Sequence, residues 1–139
     1  MKRFVILSKE DDLSKELSQK LTIRLNELNY QLDEETPDFV VSIGGDGTFL
    51  RAIHQYIHQL ELIKFVGIHT GTLGFFSSYD GHECEAFVQD LINDRLGYKE
   101  FPLLDICVNS KNGNEHYYAL NEMRVENVIR TQLIRVSIN

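Results

Sequence analysis

The stretch that most restricts this chain is Phe39-Val40-Val41-Ser42-Ile43, which runs without a spacer into Gly44-Gly45-Asp46-Gly47. A short, nearly continuous apolar run of this kind reads as a strand buried on both faces, the mark of a parallel sheet. Beyond the glycines, Phe49, Leu50, Ile53, Tyr56, Ile57 and Leu60 keep helical spacing. Glycines let the backbone come close to a ligand. The helix behind the turn aims its N–H groups and positive dipole end at whatever sits there. Open α/β sheets bind ligands at the carboxyl ends of their strands, where this turn lies. An acid in a turn suited to anions is out of place as a binder, because Asp46 would repel phosphate. It makes sense as the acceptor of a hydroxyl proton or as a holder of magnesium. The plainer alternative is a tight strand–helix turn with Asp46 as its cap.

The same alternation surrounds this element. Phe4-Val5-Ile6-Leu7 opens the chain as a buried strand, and Ser8 with Asp11 forms a capping signal for the helix after it. Leu13, Leu17, Leu21, Leu25 and Leu28 make one apolar stripe on that helix. Asp33-Glu34-Glu35 followed by Thr36-Pro37 reads as a solvated loop. Lys64-Phe65-Val66-Gly67-Ile68 is a third strand, and His69-Thr70-Gly71-Thr72-Leu73-Gly74-Phe75 repeats the glycine turn after it, so two turns should flank one crevice. Leu73 and Phe75 are apolar in a loop-like stretch, which suits an aromatic ring as ligand or a plug for the domain's own core. His69 has no visible partner and reads as structural. Ala86, Phe87, Leu91 and Ile92 place a further helix over Gly81 to Asp94. Strand–helix alternation predicts a doubly wound, Rossmann-like α/β layer with a parallel sheet.

From Tyr98 the style changes to strands alone, around Leu103–Asn109, His116–Val125 and Gln132–Ile138, with Asn112-Gly113 as a strong hairpin signal. The switch places a boundary near Gly97, dividing an α/β domain (residues 1–97) from the start of an all-β domain (residues 98–139). Roughly 40 residues are too few for the β part to bury a core of its own. It therefore reads as the truncated beginning of a larger β-sandwich.

Composition removes several functional classes. An apolar fraction of 42% supports a real core, and a net charge of −7 argues against a nucleic-acid face, which needs basic residues. Cys84 and Cys107 have no metal-type spacing and read as free, partly buried thiols of a reducing cytosol. The apolar run at the N-terminus stops at Ser8, short of a signal peptide, and no stretch approaches the roughly 20 apolar residues of a membrane span. A soluble, cytoplasmic protein with no membrane partner is expected. The Cys, His and carboxylate positions suggest no metal cluster, and no Ser/His/Asp arrangement can be argued. By itself the pair Asn121-Glu122, after Tyr118-Ala119-Leu120, reads as a solvated strand edge.

Taken in order, Gly44-Gly45-Asp46-Gly47-Thr48, His69-Thr70-Gly71-Thr72-Leu73-Gly74-Phe75 and Leu120-Asn121-Glu122 resemble the NAD kinase family, in particular its short bacterial members, along the whole chain. The resemblance implies transfer of a phosphoryl group from ATP, or polyphosphate in some members, to the adenosine ribose 2′-hydroxyl of NAD, with a divalent metal such as magnesium. It implies Asp46 as proton acceptor, with Gly44 and Gly45 forming the phosphate turn and Gly47 against the nucleotide. Leu73 and Phe75 would line the adenine side, and Asn121 and Glu122 would contact NAD from the second domain. Arg51, a few residues after Asp46, is a candidate phosphate contact. A homodimer or homotetramer is implied for the full-length form. The family pattern continues for about as many residues again, with a second glycine-rich loop and a Thr/Ser-rich segment, so this chain matches an N-terminal portion. Thr72 stands where some relatives carry histidine. The rivals are a diacylglycerol- or sphingosine-type lipid kinase, which shares Gly-Gly-Asp-Gly, and a non-catalytic nucleotide-binding fragment. In the lipid kinases an Asn-Glu pair follows the glycines within a few residues, whereas here Phe49-Leu50-Arg51 follows.

Overall fold

A computed structural model describes residues 2–123. The chain divides into two compact units, Met1–Tyr98 and Lys99–Asn139. The first contains strand β1 (Arg3–Ser8), helix α1 (Asp12–Glu27), the short strand β2 (Gln31–Leu32), β3 (Phe39–Gly44), α2 (Asp46–Gln55), β4 (Lys64–His69), β5 (Tyr79–Asp80) and, after a 3-10 turn at Gly81–Glu83, α3 (Cys84–Ile92). Its strands form one five-stranded sheet in the order β2-β1-β3-β4-β5, with every neighbouring pair parallel.

Side-chain alternation along the strands explains the layering. Phe4, Phe39, Val41, Ile43 and Ile68 pack with Leu21 and Leu25 of α1 and with Phe87, Val88 and Leu91 of α3. Val5 and Val40 pack with Ala52 and Tyr56 of α2 and with Ile63. The helices thus cover both faces, and all six residues of central β3 are buried. This is the expected α/β architecture. The chain leaves β1 in one direction toward β2 and crosses back to lay β3 on its other side, so the order reverses between β1 and β3. Such a switch point opens a crevice at the carboxyl ends of the strands.

Local details differ from the sequence reading. Ser8 ends β1 and does not cap α1. Asp11 is the N-cap, accepting the backbone N–H of Ser14 at 2.8 Å. Asp11 stands next to the helix with an extended backbone, φ −92° and ψ 158°, which is what an N-cap requires. Of the leucine stripe, Leu21 and Leu25 reach the core, Leu17 and Leu28 pack partly buried against it, and Leu13 is exposed on the first turn. The segment expected to be helical from Gly81 begins instead as a 3-10 turn closed by a capping box between Asp80 and Glu83. It ends at Asn93, with Asp94 at a φ of 54°. The acidic loop is more ordered than a solvated stretch: Asp33 accepts the N–H groups of Glu35 and Thr36, each at 2.9 Å, and stands 3.7 Å from the Arg3 guanidinium. Cys84 is half-buried as expected, and burial pushes its thiol up, but Cys107 is exposed because it lies on an uncovered strand.

The second unit carries an antiparallel hairpin, β6 (Leu104–Ser110) and β7 (Gly113–Ala119), in register from Leu104↔Ala119 to Ser110↔Gly113. Lys111 and Asn112 make the turn, and Gly113 takes a φ of 128° as the first residue of β7. The second strand therefore starts earlier than His116 and ends before Val125. The strand expected around Gln132–Ile138 lies outside the described residues. Among the described residues, no helix is long and apolar enough to cross a membrane.

Candidate active site

The crevice at the switch point has a volume of about 560 Å³ and is lined by Lys9 and Asp11 after β1, Gly44, Gly45, Gly47 and Thr48 after β3, and Thr70, Gly71 and Thr72 after β4. That size suits a small-molecule site. The two glycine turns do flank one cavity.

The glycines of these turns fall into two groups. Gly44 has a φ of 153°, and a methyl group there would meet Thr48 Oγ1 at 2.5 Å, so the fold itself demands glycine. A methyl at Gly74 would meet Asp46 Oδ1 at 2.3 Å. By contrast, a Cβ at Gly45, Gly47 or Gly71 would meet no atom within 4 Å. Packing does not require these three to be bare, yet all three border the crevice. Their missing side chains keep that space open.

Two helices end at the crevice with different electrostatics. The first turn of α1 is already capped by the Asp11 carboxylate, whose pKa is held below the usual range by the Ser14 N–H it accepts. The N-cap of α2 is Gly45, and no side chain caps that turn. The positive end of α2 is therefore the one available to an anion. Lys9 adds a cation, and its Nζ stands 3.4 Å from Asp11 Oδ2.

Asp46 is the first residue of α2 and is half-buried. Its side chain does not cap its own helix. Oδ2 accepts the N–H of Phe75 at 2.9 Å and Oδ1 that of Phe76 at 3.1 Å, so the carboxylate bridges the two turns. An ionised carboxylate has about four lone-pair sites, which leaves acceptor capacity for a hydroxyl.

The remaining candidates separate. Leu73 and Phe75 are 71% and 78% exposed and do not plug the domain's core; both flank Gly74 at the rim. The following residue, Phe76, is the one that turns inward. Arg51 donates from Nη2 to the Ser8 carbonyl at 2.7 Å, so part of its fork is committed to the end of β1. His69 does have partners: Nδ1 lies 3.1 Å from the Gly71 carbonyl, and Nε2 lies 3.8 Å from Asp80 Oδ2. Asn121 and Glu122 belong to the second unit, exposed just past the end of β7. Among the described residues, no group of three or more His, Cys, Asp or Glu side chains could hold a metal ion. Sequence reasoning did not assign Lys9, Thr48, Thr70 or Gly74. The rule that ligands sit beyond strand ends at a switch point could have found Lys9, since it directly follows β1.

A parallel sheet with a glycine–carboxylate turn at its switch point defines a Rossmann-like α/β protein. Residues 7–96 match the family described as the ATP-NAD kinase N-terminal domain. The chain is 42% identical over 137 residues to the NAD kinase of Geobacillus stearothermophilus, covering 97% of this chain and 51% of that protein. It is 43% identical over 129 residues to the NAD kinase of Staphylococcus epidermidis, covering 90% and 48%. Its fold is similar to that of yeast NADH kinase solved in complex with NADH, with a TM-score of 0.72, 18% identity and coverage of 87% and 47%. The chain belongs to the NAD kinase family, and spans about half the length of the relatives it matches.

Proposed function

We propose that the protein carrying this chain phosphorylates the 2′-hydroxyl of the adenosine ribose of NAD, using ATP or polyphosphate, to make NADP. The observation that carries this reading is the Asp46 carboxylate, which bridges two turns whose glycines, Gly45, Gly47 and Gly71, border the crevice and leave room for a ligand. Phosphoryl transfer asks the protein for positioning and charge neutralisation more than for covalent chemistry. The uncapped N-terminus of α2 and Lys9 supply positive potential for phosphate oxygens. Asp46 takes the proton of the ribose hydroxyl as its oxygen bonds to the terminal phosphorus and the bond to the leaving phosphate breaks. Gly47 lies against the nucleotide, Gly44 and Gly45 form the phosphate turn, and Arg51 is a further phosphate contact through the part of its fork not bound to Ser8.

Magnesium fits this donor set in one way only. With the Asp11 carboxylate committed to the α1 cap and to Lys9, and no three-residue cluster among the described residues, the ion would be held through Asp46 and mainly by substrate phosphates and water, a common arrangement for this metal. When bound it would neutralise charge on the transferred group.

In the same reading, exposed Leu73 and Phe75 are apolar contacts for the adenine side. The second unit is the start of an all-β NAD-binding domain beginning near residue 98, from which Asn121 and Glu122 reach NAD. The protein works in the cytoplasm as a homodimer or homotetramer. Incubation of the intact protein with NAD, ATP and magnesium, with NADP measured by enzymatic cycling, tests the reading. Turnover dependent on Asp46 is expected, and absence of NADP with every phosphoryl donor would refute it.

A further inference from the structure

Two residues of α2, one turn apart on one helix face, grip the same short segment. Asp46 accepts the N–H groups of Phe75 and Phe76, while the Phe49 ring stacks on that of Phe76 with centroids 5.1 Å apart and planes within 5°. Phe76 is 8% exposed, so this ring is the anchor. The next residues pass close over β4, where the Ser78 N–H donates to the Gly67 carbonyl at 2.9 Å. Two glycines leave this packing no room: Gly67, where a Cβ would lie 2.5 Å from the Phe76 carbonyl oxygen, and Gly74, which faces the carboxylate. A Cβ at Gly74 would lie 2.3 Å from Asp46 Oδ1 and 2.8 Å from its Cγ, and a carboxylate held by two amide bonds is not the free end of a flexible chain.

We infer that Gly74 is a positioning residue for the reacting carboxylate: its missing side chain lets Asp46 lie across the Phe75 and Phe76 amides, tying the proton acceptor to the segment that presents Leu73 and Phe75. This rests on the NAD kinase reading for its catalytic half, and on geometry alone for its structural half. The contact fixes both parties. A side chain at position 74 displaces the carboxylate from the hydroxyl it must reach, and loss of the carboxylate frees the rim segment. Asp46 is thus at once a proton acceptor and the clamp that sets where the apolar rim stands.

Amide hydrogen exchange of the intact protein without substrate tests the structural half. Gly74→Ala should speed exchange at the Phe75 and Phe76 amides roughly tenfold or more, because each loses a bond to a charged acceptor, and leave Ser78 within about twofold. Asp46→Ala, which removes atoms and cannot clash, should speed the same two amides. Unchanged exchange at both in Asp46→Ala overturns the proposal. In the NAD assay, Gly74→Ala should lower kcat about tenfold or more, with KM for NAD moving less than about threefold. Altered exchange with unaltered kcat overturns the catalytic half. If the wild-type protein makes no NADP while the exchange pattern holds, the NAD kinase reading falls and the Asp46–Gly74 contact stands.

Discussion

Ser14 and Thr70, 56 positions apart, join their hydroxyls at 2.9 Å, with Ser14 completely buried at the start of α1. The Ser14 N–H is the one capped by Asp11, and the Thr70 N–H donates to the Gly44 carbonyl at 3.3 Å. One hydroxyl pair therefore links α1, the end of β3 and the wall of the crevice.

Ser14→Ala should cost about 0.5–1.5 kcal/mol, the worth of a net hydrogen bond, since the Thr70 hydroxyl lies at the crevice and can turn to water. Ser14→Val should cost more, because its methyl groups have no room in a closed site. Denaturant midpoints at constant slope measure both. Equal stability of Ser14→Val and wild type would show that this junction carries no weight.

Gly47→Ala should separate stability from function. Gly47 is in the first turn of α2, and a Cβ there meets nothing within 4 Å. Alanine at a compatible helical position stabilises by about 0.4–1 kcal/mol, whereas the added methyl intrudes on the crevice. A slightly higher melting temperature with weaker NAD or ATP binding is expected. Unchanged affinity for both would mean that no ligand approaches this backbone.

Asp46→Asn should lower NAD phosphorylation by about 10²–10⁴, the usual loss when a general base is removed. Asparagine has a single acceptor oxygen, so its NH₂ must face one of the Phe75 and Phe76 donors that the carboxylate serves together. The loss should therefore exceed that of Gly74→Ala, which disturbs position but keeps the base. A variant retaining more than half its turnover would make Asp46 a structural cap.

Tyr79 gives the pH dependence its sign. Its hydroxyl donates to Asp90 Oδ2 at 3.0 Å, and burial, with the carboxylate beside it, holds its pKa up at about 12. The unfolded phenol ionises near pH 10. Because the folded value is the higher one, this stabilisation is complete below about pH 10 and is lost as pH climbs toward about 12. Tyr79→Phe should cost about 0.5–1.5 kcal/mol at neutral pH and flatten the alkaline decline. Parallel stability curves for the two proteins between those pH values would contradict it.

What the sequence disclosed follows the strength of its local signals. Phe39–Ile43, Phe4–Leu7 and Lys64–Ile68 were legible as strands because burial on both faces leaves an unbroken apolar run. β2 and β5 were not, since two-residue edge strands have no period to detect. The glycine turn announced the crevice, yet nothing in the string of residues separates Gly44 and Gly74, required by packing, from Gly45, Gly47 and Gly71, which are not. The inward turn of Phe76 in place of Phe75 depends on the Phe49 ring, a contact between distant positions. The Asp80 partner of His69 was hidden because the carboxylate reaches it only through the pairing of β4 with β5.

The crevice at the switch point is bounded by the loops after β1, β3 and β4, three strands joined only by parallel pairing. Parallel neighbours bring together residues far apart in the chain, such as Phe4 and Phe39, so loop-closure entropy is spent before any contact repays it. No partly folded chain that lacks one of these strands contains the pocket. A ligand seated there can associate with the native state alone, and mass action then raises stability by the full linkage term, about 2.7 kcal/mol at a concentration 100 times Kd. For this sheet, a ligand that occupied the crevice would also act as a late-arriving brace on the fold.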